Sequence, residues 1–403
     1  MTATREPERA RARLRDLGIA IGSGLPGPLN AITDVPGVTV GHTTLIEGDG
    51  PLVVGQGPIR TGVTVILPHE GDVAREPLYA GAYRLNGNGE MTGLEWVRES
   101  GLLTSPIALT NTNSVGIVRD SLVAWEARGR TPTEVYWALP VVAETWDGRL
   151  NDINGFHVRP EHVYAALEGA AGGTVAEGAV GGGTGMVCHG FKGGIGTASR
   201  VVALTGASYT LGVLVQANYG RRARLRLDGI PIGEAIPESL VPSPYGQEPL
   251  TPSPTSPSRP AGRPRGAPQP DVEGAGSIIV IVATDAPLLP HQLTRVAQRP
   301  ALGLARVGSI AANDSGDLLL AFSTANREGR LTADFEDGGP ATVQLAALSD
   351  AYIDLLFTAA IEATEEAVWN ALVTADTMTG RDGITAYAIP HDLLVQAWRR
   401  WRG

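Results

Sequence analysis

Lysine is almost missing from this chain. Of its 32 basic residues only Lys192 is a lysine, and the rest are arginine. A lone lysine in so arginine-biased a composition suggests a position where a guanidinium would not serve. The plainer reading is a partly buried helper kept by chance, and the sequence assigns it no role. Cysteine is as scarce: Cys188 stands alone, so an intrachain disulfide is excluded. No apolar run reaches the ~18 residues that a bilayer span needs, so no membrane partner is expected. Positive charge is in deficit, with a net charge of −10. That argues against nucleic acid as a partner, because neutralising phosphates takes clustered basic residues. Two arginine-rich stretches, Arg5 to Arg15 and Arg259 to Arg265, lie in poorly hydrophobic segments and read as solvated. Seven histidines are scattered without HExxH or any other ligand spacing, so neither a metal nor another cofactor is expected. The opening MTATREPERARARLRDLGIA has no apolar segment of the secretory type, and a cytoplasmic location is expected.

What is present is a large apolar fraction. Hydrophobic residues make up 43% of 403, enough for one large domain or two average ones. Strands are expected at 31–45 after the Pro36-Gly37 turn, and at 61–68, 105–116, 139–148, 178–204, 209–220, 277–285 and 316–326. Of these, SIIVIVATD (277–285) is continuously apolar, as in a strand covered on both faces. Helical spacing marks 89–101, the run after Ser114 as N-cap, 160–170, 288–308 in two pieces split at Pro300, 343–373 and 390–401. Residues 1–17 read as a short charged helix or a frayed tail. Strands and helices do not alternate in strict βα units, which favours α+β layers over a doubly wound sheet.

Residues 241–270 hold 10 of the 29 prolines, few apolar side chains and no periodicity. Such a composition cannot repay the entropy of ordering, so 241–274 is expected to be a flexible insertion. It could mark a domain boundary. However, the strand that follows is too apolar to begin a small independent domain, and a long loop costs little to close.

Few motifs carry chemistry. GGGTGMVCHGFKGG lacks the GK[ST] step of a phosphate loop, so its glycines read as turns and close strand packing. Cys188 and His189 are neighbours whose side chains would point to opposite faces of a strand, so they make no nucleophile–base pair. No G-x-S-x-G elbow occurs. Two serines remain in chemically rich settings: Ser315 in NDSGD, beside Asp314 and Asp317, and Ser277 in GAGS, where a loop meets a strand. Locally, NDSGD also reads as a polar turn and Ser277 as a mere strand start.

Several stretches in order resemble the DmpA-type L-aminopeptidase/D-esterase (β-aminopeptidase) family of self-processing serine peptidases. They are ITDVPGVTVGH, LNGNGEMTG, LTNTNSVG, PVVAETWDGRLNDINGFHV, GGGTGM, FKGGIGTASR, LGVLVQANYG, GSIIVIVATDAPL, NDSGDLLLAFSTAN and TMTGRDG, spanning about 31–383. The resemblance implies a single catalytic domain, a four-layer αββα sandwich resembling the N-terminal-nucleophile (Ntn) hydrolases. It implies a cut between Gly276 and Ser277, giving an α-chain 1–276 and a β-chain 277–403. Ser277, the new N-terminus, would be the nucleophile. Asn218 matches the oxyanion-hole asparagine, Ser315 and Asp317 the pair that orients or activates the nucleophile, and Glu144 the carboxylate that takes the substrate's amino group. The substrates implied are small peptides, amides or esters, with no cofactor, and the αβ units would assemble into a homo-oligomer. Trp146 stands where the family usually has tyrosine, and an indole N–H donates but cannot accept or ionise. Two other readings stay open: a self-cleaving acetyltransferase of the ornithine acetyltransferase type, although those cut before threonine, and an inactive binding homologue.

Overall fold

The computed structural model describes residues 11–247, 276–327 and 342–402. In chain order the first elements are β1 (Thr39–Glu47), β2 (Ile59–Leu67), β3 (Leu78–Arg84), α1 (Leu94–Ser100), β4 (Leu102–Leu103), β5 (Ile107–Asn111), α2 (Val115–Ala127), β6 (Val141–Thr145) and α3 (Pro160–Glu168). A short hairpin, β7 (Val187–Cys188) and β8 (Phe191–Lys192), leads into the long strands β9 (Gly194–Leu204) and β10 (Ala207–Asn218), then α4 (Ile232–Ala235). The last elements are β11 (Ser277–Thr284), α5 (Pro290–Gln298), α6 (Pro300–Val307), β12 (Gly316–Ser323), α7 (Ile353–Val373), β13 (Met378–Thr379), β14 (Thr385–Ala386) and α8 (His391–Arg402).

Two sheets form the centre. One runs β1–β2–β5–β6 and the other β4–β3–β12–β11–β10–β9. Three apolar layers separate four layers of structure. Val63, Val65, Ala108 and Val142 of the first sheet meet Val118, Leu122, Val163 and Leu167 of α2 and α3. Ile66, Leu109 and Val141 meet Leu214, Ile279, Ile281 and Phe322 between the sheets. Val213, Val280, Leu319 and their neighbours are covered by Leu293, Leu304 and the long stripe of α7. This is the expected αββα sandwich. Side chains alternate along β11, so Ile278, Val280 and Val282 face the helices while Ile279, Ile281 and Ala283 face the other sheet. That double burial explains the unbroken apolar run.

The glycines of the 178–204 stretch serve backbone approach, as expected. A Cβ on Gly196 would stand 2.0 Å from the Ala367 carbonyl oxygen of α7, and one on Gly182 2.1 Å from Gln216 Oε1.

Four expectations change. The charged N-terminal stretch is not a solvated face from residue 11 onward. Leu14 is fully buried, Arg11 donates to the Val373 and Ile389 carbonyls, and Arg13 and Arg15 pair with Glu177 and Glu366 at 2.5 and 2.6 Å. The arginines are spaced to clip the chain onto buried carboxylates of another layer, a contact that composition cannot show. The 241–274 insertion begins later than its prolines suggest, since Val241, Ser243 and Pro244 are buried. The rest of it, with Arg259 to Arg265, lies outside the described residues. The last long helix starts at Ile353 rather than 343, and Ser114 precedes α2 without a side-chain cap; Asn111 instead accepts from Asn113 N. β3, LYAGAYR, has no β-branched residue and is not among the expected strands, yet it pairs with β12.

Candidate active site

β11 enters the larger sheet between β10 and β12, antiparallel to one and parallel to the other. Its first residue, Ser277, is therefore flanked by Asn218 on one side and Gly316 on the other. Ser277 has the parity of Ile279 and Ile281 and so opens on the space between the sheets. It is nearly buried, at 7% exposure.

The Gly316 N–H points at two oxygens, the Gly276 carbonyl at 3.3 Å and Ser277 Oγ at 3.2 Å. One donor thus lies beside both the expected nucleophile and the carbonyl it must attack. Gly276 is pressed against β10: a Cβ there would stand 2.2 Å from the Asn218 carbonyl oxygen and 2.6 Å from Tyr219 Cα. The position needs glycine for space.

The Asn218 amide is pinned at both ends. Oδ1 accepts from Val187 N at 2.8 Å, and Nδ2 donates to the Trp146 carbonyl at 2.9 Å. An amide nitrogen has two hydrogens, which leaves one beside Ser277. Trp146, half-buried, thus contributes its carbonyl as well as its ring, which packs over Gly148.

Glu144 is 2% exposed. It accepts from Glu90 N at 2.9 Å and from the Thr112 hydroxyl. Burial raises it above the ordinary glutamate value, against the pull of those two hydrogen bonds. Gly89 lies between this carboxylate and the start of β12: a Cβ there would be 3.1 Å from Glu144 Oε1 and 3.1 Å from Gly316 Cα. Gly89 and Thr112 escaped the sequence reading, although both lie inside family-like stretches (LNGNGEMTG and LTNTNSVG).

Ser315 and Asp317 lie next to this group and form a pair of their own. The Ser315 hydroxyl donates to Asp317 Oδ1 at 2.5 Å, and Asn86 Nδ2 to Oδ2 at 3.2 Å. Burial raises Asp317 above the ordinary aspartate value, despite the pull of Ser315, of Asn86 and of the nearby backbone N–H of Ile278, the residue after Ser277. A small, open cleft lies beside Ser315, with Tyr219, Arg221, Arg224 and Ile310 in its walls. It reaches neither Ser277 nor Glu144.

Cys188 and His189 are unsuited to nucleophilic catalysis, as expected. Both are fully buried; burial pushes the thiol up to about 12 and the imidazole down to about 4. Among the described residues no helix is long and apolar enough to cross a membrane.

Known proteins resemble the chain over most of its length. The model of peptidase family S58 matches residues 30–386. A beta-peptidyl aminopeptidase of Sphingosinicella microcystinivorans is 49% identical over 390 residues, covering 97% of this chain and 92% of that protein. The structure of a Burkholderia sp. beta-aminopeptidase superposes with a TM-score of 0.82 at 48% identity, covering 96% of this chain and 99% of the other. An L-aminopeptidase D-Ala-esterase/amidase from Ochrobactrum anthropi, described as a prototype of the serine aminopeptidases and a variant of the Ntn hydrolase fold, superposes with a TM-score of 0.81 at 40% identity, over 97% and 99%.

Proposed function

The chain belongs to peptidase family S58 and is a self-processing serine aminopeptidase, and from that premise we propose that Ser277 is its nucleophile, freed by a cut after Gly276. The observation that carries this is the Gly316 N–H shared between the Gly276 carbonyl and Ser277 Oγ. In the intact chain Oγ attacks the Gly276 carbonyl carbon, and Gly316 N–H receives the charge that develops on its oxygen. The C–N bond breaks, the amine takes the hydroxyl proton, and an ester remains. Water hydrolyses the ester, giving Gly276 a carboxylate and Ser277 a free α-amine. With an ordinary pKa of about 7.7–8.0, that amine is a base near neutral pH.

In turnover the amine takes the Oγ proton while Oγ attacks the substrate carbonyl. The spare Asn218 Nδ2–H holds the oxyanion. The departing amine then takes the proton back, and water clears the acyl group. Glu144 receives the substrate's ammonium group: two of its four acceptor sites are filled by Glu90 N and Thr112, leaving two. Ser315 and Asp317 position the new amine: their hydrogen-bonded pair flanks the start of β12, whose register sets Gly316 beside Ser277 and Asp317 beside Ile278.

The names of its relatives favour substrates that begin with a β-amino acid. Their near-full-length identity also favours peptidase over acetyl-transfer chemistry. We place the enzyme in the cytoplasm as a homo-oligomer of αβ units; the exposed Val135, Trp137 and Leu139 ahead of β6 support assembly. The test is a denaturing gel with N-terminal sequencing, followed by β-alanyl and L-alanyl p-nitroanilide assays. Expected are a fragment beginning at Ser277, neither cut nor turnover in Ser277→Ala, and a higher kcat/KM on the β-alanyl substrate. A Ser277→Ala variant that still hydrolyses either substrate overturns the assignment.

A further inference from the structure

The only lysine is fully buried on β8. Its Nζ donates to three main-chain carbonyls, of Met186 at 2.7 Å, Gly193 at 2.8 Å and Gly183 at 3.3 Å. Three acceptors call for three N–H bonds on one nitrogen, which an ammonium has and a neutral amine lacks. A planar guanidinium cannot aim three donors from one atom into such a tripod. That is a physical reason for lysine at this one position in an arginine-rich chain.

The Met186 carbonyl and the Val187 N–H belong to the same peptide unit. The carbonyl is held by Lys192, and the N–H donates to Asn218 Oδ1. The Asn218 Nδ2 then donates to the Trp146 carbonyl and keeps a second hydrogen. From Nζ to that hydrogen the dipoles run head to tail: ammonium, peptide, side-chain amide. Hydrogen bonds in such a chain polarise one another, and more so away from water. The charge therefore stands behind the oxyanion donor, two hydrogen bonds away.

We propose that Lys192 is a positioning residue for the oxyanion hole, whose ammonium, acting through the Met186–Val187 peptide unit, fixes the Asn218 amide and strengthens its free N–H as a donor. The proposal rests on the reading of Asn218 as oxyanion donor. Burial pulls the lysine down to about 7, against the fields of Cys188 and Asp147; the three carbonyls favour its charged form.

The test is a double-mutant cycle on the processed enzyme with Lys192→Met and Asn218→Ala, following kcat, KM and melting temperature. Lys192→Met is expected to lower kcat about tenfold or more, with KM nearly unchanged. In the Asn218→Ala background it is expected to lower kcat no further. An unchanged kcat, or an equal loss in both backgrounds, overturns the proposal and leaves the Asn218 reading standing. A full kcat in Asn218→Ala alone overturns both. If Lys192→Met does not fold, the wild-type enzyme supplies the test. With one lysine, ζ-¹⁵N-lysine labelling gives one signal, expected to be an exchange-protected ammonium that shifts when a boronate adduct forms on Ser277. A neutral amine, or no shift, overturns the proposal.

Discussion

Asn218 and Ser277 are the last register pair of the β10–β11 ladder. Residues directly opposite across an antiparallel pair share a face, and their Cβ atoms lie ~5 Å apart. The proposed oxyanion donor and nucleophile are thus set by strand register, where β11 and the last eight residues of β10 are buried. Removing the donor should not disturb the ladder. Asn218→Ala is expected to lower kcat by about 10²–10³, roughly 3–4 kcal/mol of barrier, with little change in KM. Steady-state kinetics on the processed enzyme check it, and a loss confined to KM would contradict it.

Gly276 tests the self-cleavage geometry separately. A Cβ at this residue meets backbone atoms of Asn218 and Tyr219, which cannot swing aside as a side chain would. Gly276→Ala should push the scissile carbonyl away from Gly316 N–H. Overpacking of this kind costs about 1–3 kcal/mol, so processing is expected to slow about tenfold or more. A time course on a denaturing gel reads the effect. Cleavage at the wild-type rate would mean that the carbonyl does not react from this position.

The strand that Ser277 opens was legible because burial writes itself into composition, whereas the order of the four layers came from the family resemblance. The run from Ser277 to Thr284 is apolar at every position between its ends, since both faces are covered. Lys192 was legible only as an oddity. Its three partners are backbone carbonyls, which leave no residue pattern. The Gly316 N–H was invisible for the same reason. Arg13 and Arg15 misled because a charged stretch looks solvated until its carboxylate partners, 164 and 351 residues away, are folded against it.

Glu366 shows what Arg15 is for. It is fully buried between Arg15, at 2.6 Å, and Arg200, at 2.8 Å. Burial opposes its charge, but the Arg15 hydrogen bonds and the charges of Arg200 and Arg15 outweigh that and hold it below the ordinary glutamate value. A carboxylate lowered in the folded state adds stability above its unfolded pKa, and that stability is lost as pH falls through the folded pKa. Glu366→Gln leaves Arg15 facing a neutral amide and Arg200 with Glu362 as its one remaining carboxylate, at 3.1 Å. It is expected to cost about 3–5 kcal/mol near neutral pH. The gap from wild type should narrow as pH drops below about 4.5, the unfolded glutamate value. Urea melts across pH decide it, and a pH-independent gap would show that the charge is not what matters.

Glu144 carries the opposite sign. Burial raises it, so it keeps its proton to a higher pH than a free glutamate. It must be ionised to hold a substrate ammonium. As pH falls through its raised pKa, KM should therefore climb while kcat holds, giving an acid limb in kcat/KM above the ordinary glutamate value. A charge-assisted hydrogen bond is worth about 1.5–3 kcal/mol, so Glu144→Gln should raise KM about 10- to 100-fold. The same variant should flatten the acid limb. An N-acetylated substrate has no ammonium to offer and should be poor with wild type and variant alike. If Glu144→Gln lowers kcat and leaves both KM and the acid limb intact, the carboxylate serves the reacting atoms and the substrate's amino group is read elsewhere.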